Sequence, residues 1–135
     1  MFPIFPSPEW LQTLHDKLNS DERYAQIARK WEGDMVVIIE PSGHLAERLI
    51  YYLDLWHGKC RKVEVLKELS GLKPLFILTA TYDNISRIMQ GGLDPMQAMM
   101  TRKLQVKGSM AYMMRNVPTV LDFVRCCRDV TGEIL

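Results

Sequence analysis

The residue pair best suited to covalent chemistry is His57 and Cys60, separated by Gly58 and Lys59. A histidine that takes the proton of a cysteine creates a thiolate nucleophile, as acyl transfer requires. Gly58 favours a turn that would bring the two side chains together across a hairpin. A buried thiol at the end of a strand explains the same residues, and we prefer this interpretation because nucleophile families share no portable local motif. No second Cys/His pair follows at zinc-finger spacing and no Gly-rich phosphate loop is present, so we expect no catalytic residue, no metal and no cofactor.

Methionine is the more informative residue type, because seven of the nine methionines lie between residues 89 and 114. After Met89 they fall at helical spacing in two groups: Met96, Met99 and Met100, then Met110, Met113 and Met114. Helical stripes of this kind are typical of a packed core. Methionine is also flexible and polarizable, and it lines surfaces that adapt to apolar shapes. The window therefore indicates either ordinary core or a deformable apolar cavity.

Length and composition predict one soluble globular domain over residues 1–135, with 47% hydrophobic and 24% charged residues. The formal charge of +1 argues against a nucleic-acid binder, which needs a strong basic field. That charge is uneven, since residues 1–58 carry a net charge of −4 and residues 102–128 a net charge of +5. The basic C-terminal third is therefore the part of the chain suited to meet an anion.

Cysteine usage and short apolar runs predict the compartment. The longest apolar runs fall well below the roughly 20 residues of a membrane span, and the N-terminus lacks the basic region of a signal peptide. Three cysteines cannot all pair within the chain, and the neighbours Cys126 and Cys127 are unsuited to bridge each other. We therefore expect a reducing compartment, most simply the cytoplasm.

Helices are predicted at both ends of the chain and strands between them. Ser7 and Ser20 are placed to cap two helices in the first 31 residues. Further helices are predicted through Met89, from Asp94, from Ser109 to Arg115, and from Asn116 towards Gly132. Strands are predicted at residues 35–40, 48–56, 60–67, 75–81 and 103–107, and their short connections favour antiparallel neighbours. The order ααββββααβαα favours an α+β domain in which helices cover a mostly antiparallel sheet.

At the methionine-rich window the sequence resembles the sterol carrier protein 2 (SCP-2-type) family of lipid-transfer domains. The family pattern is a Gly-x-Leu-(Asp/Asn)-Pro helix start followed by Ala, and then Gly-Lys-Leu-x-(Ile/Val)-x-Gly. The matching positions are Gly92, Leu93, Asp94, Pro95, Ala98, Lys103, Leu104, Val106 and Gly108. Arg102 departs from the pattern, since it stands where the family has its second glycine. This departure either relaxes a tight turn or alters the polarity of the pocket entrance.

The resemblance implies a sheet of about five strands whose covering helices enclose an apolar tunnel. It also implies non-enzymatic binding and carriage of a lipid partner, which is a fatty acid, a fatty acyl-CoA, a sterol-like molecule or another apolar ligand. The residues predicted to line the tunnel are Phe76, Leu78, Ile85, Met89, Leu93, Met96, Met99, Met100, Leu104, Val106, Met110, Met113, Met114 and Leu121. The residues predicted to contact a head group or an anionic membrane are Arg102, Lys103, Lys107 and Arg115, although a solvated face explains them equally well.

Two other functions stay open at this point. The domain could be an accessory or oligomerisation module of a larger assembly, in which Trp10 or Trp56 would build a homodimer; as a carrier it could be a monomer or a homodimer. The weaker hypothesis is an acyl-transfer enzyme that uses Cys60 and His57, and a reactive Cys60 would favour it.

Overall fold

The structure is a computed structural model that describes residues 2–69 and 71–135. Its helices are α1 (Pro8–Ser20), α2 (Glu22–Ile27), α3 (Tyr82–Met89), α4 (Pro95–Met100), α5 (Met110–Arg115) and α6 (Val117–Asp129). Its strands are β1 (Ile4–Phe5), β2 (Met35–Glu40), β3 (Leu49–Trp56), β4 (Lys59–Leu66), β5 (Phe76–Thr81), β6 (Gln105–Lys107) and β7 (Glu133–Ile134). The predicted α+β class is confirmed, and each of the five predicted strands is present within two residues of its expected bounds.

Five strands form one sheet in the order β4-β3-β2-β5-β6. The sheet is mostly antiparallel as expected, but β2 and β5 pair in parallel, with Met35 opposite Phe76 and Val37 opposite Leu78. The prediction of antiparallel neighbours is wrong for this pair because β5 does not return beside β4. Strand β5 instead lies beside β2, and Leu69, which follows β4, packs on a cluster that includes Val36 and Ile50.

The two faces of the sheet carry different neighbours. Along β2, Met35, Val37 and Ile39 point to the main core, whereas Val36 and Ile38 belong to the smaller cluster on the opposite face. This separation follows from the two-residue period of a strand, which sends successive side chains to opposite sides. In the part of the chain that the structure describes, the helices therefore cover one face of the sheet, and the main core lies between that face and the helices.

Helix starts follow local capping chemistry. The Ser7 hydroxyl accepts the Trp10 N–H at 3.1 Å, and Asp94 and Ser109 cap α4 and α5 in the same way. The predicted cap at Ser20 is wrong, because Ser20 ends α1 and its hydroxyl donates to the Asp16 carbonyl. Asp21 caps α2 instead, where its carboxylate accepts the Tyr24 N–H at 2.8 Å.

A parallel pair of short strands, β1 and β7, joins the two ends of the chain and was not predicted. Ile4 lies opposite Glu133, and the Leu135 N–H donates to the Phe5 carbonyl at 2.9 Å. Two-residue strands leave no periodic signal, so pattern analysis cannot find them. Among the described residues, no helix combines the length and apolar character that a bilayer span needs.

Candidate functional site

The candidate site is a cavity of about 120 Å³ between the sheet and the helices. A water-sized group needs roughly 10–15 Å³ of such a volume, so the cavity has room for on the order of ten such groups. No polar atom of the described residues is exposed on its wall. Empty cavities with apolar walls stay dry and bind apolar molecules.

The wall draws on every layer of the domain. The lining residues are Phe5, Trp10, Leu14, Tyr24, Trp31, Met35, Val37, Ile39, Tyr51, Leu53, Leu55, Leu78, Ile85, Ile88, Met89, Pro95, Met99, Leu104, Met113, Thr119, Val120, Phe123, Val124 and Cys127. The N-terminal helices and the sheet thus contribute more residues to the wall than the methionine-rich window does.

Strands β2, β3 and β5 form the floor of the cavity. Val37 lies opposite Tyr51 on β3 and opposite Leu78 on β5, so the three side chains form one row across the sheet. Val37 and Tyr51, together with their neighbours two residues along each strand, were not among the predicted lining residues. The two-residue period of a strand indicates that residues at i and i+2 share one face, but the apolar run of β2 is nearly continuous and does not mark which face meets the helices.

Six of the predicted lining residues do lie on the wall: Leu78, Ile85, Met89, Met99, Leu104 and Met113. They come from four elements and one loop, since Leu104 stands just before β6. Met89 and Ile85 lie four residues apart on α3, one turn of the helix, which presents them on the same side. The structure thus brings together six buried members of the predicted set.

The other eight predicted residues lie outside the cavity. Phe76 and Leu93 are buried elsewhere, Met96 and Val106 are half-buried, and Met100, Met110, Met114 and Leu121 are exposed. The methionine groups divide in this way because each residue turns about 100° around a helix. Met99 and Met100 are neighbours on α4 and point about 100° apart, so Met99 faces the cavity whereas Met100 is exposed.

A shallow surface groove lies beside the cavity. Its lining residues are Met99, Arg102, Gln105, Val106 and Met110. Met99 lines both spaces and is only 7% exposed, so its side chain is part of the partition between them. We call this feature the Met99 groove.

The predicted head-group residues Arg102, Lys103, Lys107 and Arg115 are all exposed. Among residues 2–69 and 71–135, none of the four has an acidic partner within 4.0 Å. Other exposed arginines, Arg48 and Arg61, do form ion pairs. Arg102 has a φ of 62°, in the left-handed region that favours glycine. The tight turn of the family pattern is therefore kept, and the departure at Arg102 places a cation on the rim of the Met99 groove.

The structure does not support a Cys60–His57 pair. Cys60 is 1% exposed, and burial raises the pKa of its thiol to about 12. Its Sγ donates to the Lys62 carbonyl at 3.6 Å, whereas the His57 Nε2 lies 2.6 Å from a Glu32 carboxylate oxygen. The thiol is therefore protonated at neutral pH, and the two side chains have separate partners.

One group of possible metal ligands was found among the described residues, formed by Asp21, Asp122 and Cys126. A cation already occupies the space that a metal would need, because the Arg125 guanidinium donates to Asp21 at 2.7 Å and to Asp122 at 2.8 Å. The hydrogen bonds from Arg125 hold the pKa of Asp21 well below its usual value. This cluster joins α2 to α6 and is an ion-pair network.

Trp10 does not have the exposed position that a dimer contact requires. It is 4% exposed, it lines the cavity, and its indole N–H donates to the Thr131 hydroxyl at 2.9 Å. Trp56 is 38% exposed and stacks against His57 and Arg61. Trp10 is therefore buried in the domain, whereas Trp56 is partly exposed at the surface.

Comparisons with known proteins find a family and several solved structures. The chain is similar to a crystal structure of sterol carrier protein 2, with 26% identity and a TM-score of 0.83 over 93% of this chain and 98% of that chain. A solution structure of a conserved hypothetical protein from Thermus thermophilus, described as possibly a sterol carrier protein, has 26% identity and a TM-score of 0.82 over 93% of this chain and 88% of that one. A sterol carrier protein 2 of Aedes aegypti in complex with palmitate shares the fold at 19% identity, with a TM-score of 0.54 over 87% of this chain and 92% of that one. No curated protein matches.

The family comparison agrees with the motif at residues 91–110 and with the observed fold. The model of the SCP-2 sterol transfer family matches residues 11–120, which is most of the chain. That span includes the whole five-stranded sheet and the Met99 groove. The chain therefore belongs to the SCP-2 sterol transfer family.

Proposed function

We propose that the protein binds the apolar chain of a lipid in the cavity and carries it without transforming it. The observation that carries this proposal is the cavity itself, which lies between the sheet and the helices and has a wholly apolar wall among the described residues. A pocket of this kind offers a lipid chain an environment like its own and offers polar metabolites no hydrogen-bond partner.

The energetics of burial suit reversible carriage. Each methylene moved from water into an apolar site gains about 0.8 kcal/mol, so a segment of about ten methylenes gains on the order of 8 kcal/mol. The same segment is already dry in a bilayer, so the net preference between bilayer and cavity is much smaller. A small difference lets the protein both collect and release a lipid.

The polar groups in the wall already have partners or are protonated. The Thr119 hydroxyl donates to the Ile27 carbonyl at 3.3 Å, and the Tyr51 hydroxyl donates to the Ser7 carbonyl at 3.1 Å. Burial raises the pKa of the Cys127 thiol well above its usual value. These groups therefore support a carrier in preference to an acyl-transfer enzyme.

The size of the cavity favours a single acyl chain, as in a fatty acid or a fatty acyl-CoA. A longer chain or a sterol-like ligand requires the wall to move, and Met89, Met99 and Met113 supply unbranched side chains that can repack. The head group stays at the surface, where the exposed Arg102 and Lys103 would meet a carboxylate or phosphate. The three free cysteines fit a reducing compartment such as the cytoplasm.

The test is native mass spectrometry of the purified protein, followed by displacement of a fluorescent fatty acid from the delipidated protein. We expect a co-purified lipid at one per chain and displacement by palmitate at micromolar concentration. A correctly folded protein that carries no lipid and shows no displacement would contradict the proposal.

A further inference from the structure

The Met99 groove and the cavity are neighbours in two independent ways. Met99 lines both of them. In addition, Leu78 on β5 and Val106 on β6 are register partners, and Leu78 lines the cavity while Val106 lines the groove. The row of side chains that forms the cavity floor therefore continues into the groove at the edge of the sheet.

The surface around the Met99 groove combines apolar and basic side chains. Met110 lines the groove, Met114 lies one turn further along α5, and Met100 is 74% exposed beside Met99. Residues 95–121 contain four basic side chains and no acidic one. This composition complements an anionic lipid bilayer, whose surface is negatively charged and whose interior is apolar.

We propose that the Met99 groove is the entrance to the cavity and that it opens onto an anionic bilayer, so that a lipid chain enters past Met99 without crossing water. This inference rests on the proposed function and adds the route and the membrane partner. Rotation of the unbranched Met99 side chain opens the partition, and the exposed methionines contact the acyl region. Arg102, which lines the groove, and the adjacent Lys103 hold the lipid phosphates there.

The docking part of the inference is tested with the variant Arg102→Glu/Lys103→Glu. Its binding to vesicles of phosphatidylserine and phosphatidylcholine is measured by co-sedimentation. We expect binding to weaken by roughly 25-fold, because each basic residue near an anionic surface contributes about a fivefold gain. The matched control is Lys59→Glu/Lys62→Glu, which changes the net charge equally but lies on β4, at the opposite edge of the sheet. Equal weakening by both variants, or no vesicle binding by the unmodified protein, would overturn the inference.

The entrance is tested by blocking the groove. The variant Met110→Cys is labelled with a bulky maleimide, which selects the new thiol because Cys60, Cys126 and Cys127 are buried. Glu64→Cys on the opposite edge strand β4 is the control, because Glu64 is exposed and its register partner Tyr52 packs on the face of the sheet away from the cavity. We expect labelled Met110→Cys to take up a fluorescent fatty acid from vesicles on the order of tenfold more slowly, as gated access requires. The control should keep the original rate.

Equilibrium binding of the fatty acid in vesicle-free buffer distinguishes a wrongly assigned entrance from a failure of the proposed function. We expect both labelled variants to bind the fatty acid with the affinity of the unmodified protein. If both bind normally and load equally fast, the entrance lies elsewhere and the inference is overturned. If the unmodified protein does not bind the fatty acid, the proposed function fails and the inference fails with it.

Discussion

Met99 and Met100 are adjacent in the sequence but lie on opposite sides of the cavity wall. Met99 is 7% exposed and lines the cavity, whereas Met100 is 74% exposed at the end of α4. The pair therefore allows a matched comparison, because the same substitution can be made at a position that lines the cavity and at the exposed position next to it.

We expect Met99→Gln to weaken fatty-acid binding and Met100→Gln to leave it unchanged. The glutamine side chain has nearly the same length, but its amide finds no hydrogen-bond partner in an apolar wall, which costs about 1–3 kcal/mol. Displacement of a fluorescent fatty acid measures both affinities. Met113→Gln should behave like Met99→Gln, since Met113 is buried and lines the cavity as well. Equal affinities for all three variants would contradict the assignment of the cavity as the binding site.

The division of the methionines shows where sequence reasoning reaches its limit. Ser7 and Asp94 were predicted as caps because capping depends on residues within one turn of each other. The inward position of Met99 and the parallel pairing of β2 with β5 depend on contacts that are distant in the sequence. Helical spacing indicates that two residues share a face, but it does not say which face meets the core.

The residues of the cavity floor also could not be predicted from the sequence. Val37 and Tyr51 lie opposite each other on neighbouring strands. Their sequence neighbours Val36, Ile38 and Ile50 are buried on the other face of the sheet, so the residues that face the cavity do not stand out in the sequence. Both faces of β2 are covered, so its apolar run is nearly continuous and carries no visible period. The motif at residues 91–110 directed attention to one side of the cavity only.

Arg102 offers a test of backbone strain. Its φ of 62° costs a side-chain-bearing residue about 1 kcal/mol, a cost that glycine avoids. Glycine is also more flexible in the unfolded chain, which offsets part of the gain. We expect Arg102→Gly to change the free energy of unfolding by less than about 1 kcal/mol, and Arg102→Val to lower it by about that amount or more. Urea denaturation measures both, and a large loss in Arg102→Gly would show that the Arg102 side chain supports the fold.

The reactivity of the Cys60 thiol tests whether the protein has a thiolate nucleophile. Burial raises the pKa of its thiol to about 12, and the pKa of Cys126 to about 11. We therefore expect a thiol reagent at pH 8 to modify the folded protein slowly and the urea-unfolded protein fully. Cys60→Ser should retain fatty-acid binding, because Cys60 does not line the cavity. Rapid modification of one thiol in the folded protein would revive the hypothesis of covalent catalysis.

The Asp21–Arg125 ion pair predicts acid sensitivity. Hydrogen bonds from Arg125 keep the pKa of folded Asp21 below its value in the unfolded chain. Below the unfolded pKa of about 3.9 the unfolded state binds more protons, so the stabilisation is present above this pH and is lost as the pH falls. We expect Asp21→Asn to lower the free energy of unfolding by about 1–3 kcal/mol at pH 7 and to flatten its dependence between pH 5 and pH 2.

The matched control for this prediction is Glu47→Gln. Glu47 is exposed and has no ion-pair partner among the residues that the structure describes. We expect its pH profile to follow that of the unmodified protein. Parallel profiles for Asp21→Asn and the unmodified protein would show that other carboxylates cause the acid sensitivity.

The most direct measurement of the central claim is NMR of ¹³C-methyl-labelled methionine during titration with palmitate. Met35, Met89, Met99 and Met113 line the cavity, while Met100 and Met114 are exposed and lie outside it. We expect the methyl signals of the four cavity residues to shift on binding of one palmitate per chain, with Met100 and Met114 unchanged in the absence of vesicles. Binding that moves the exposed methyl groups and leaves the four cavity signals in place would contradict lipid binding in the cavity.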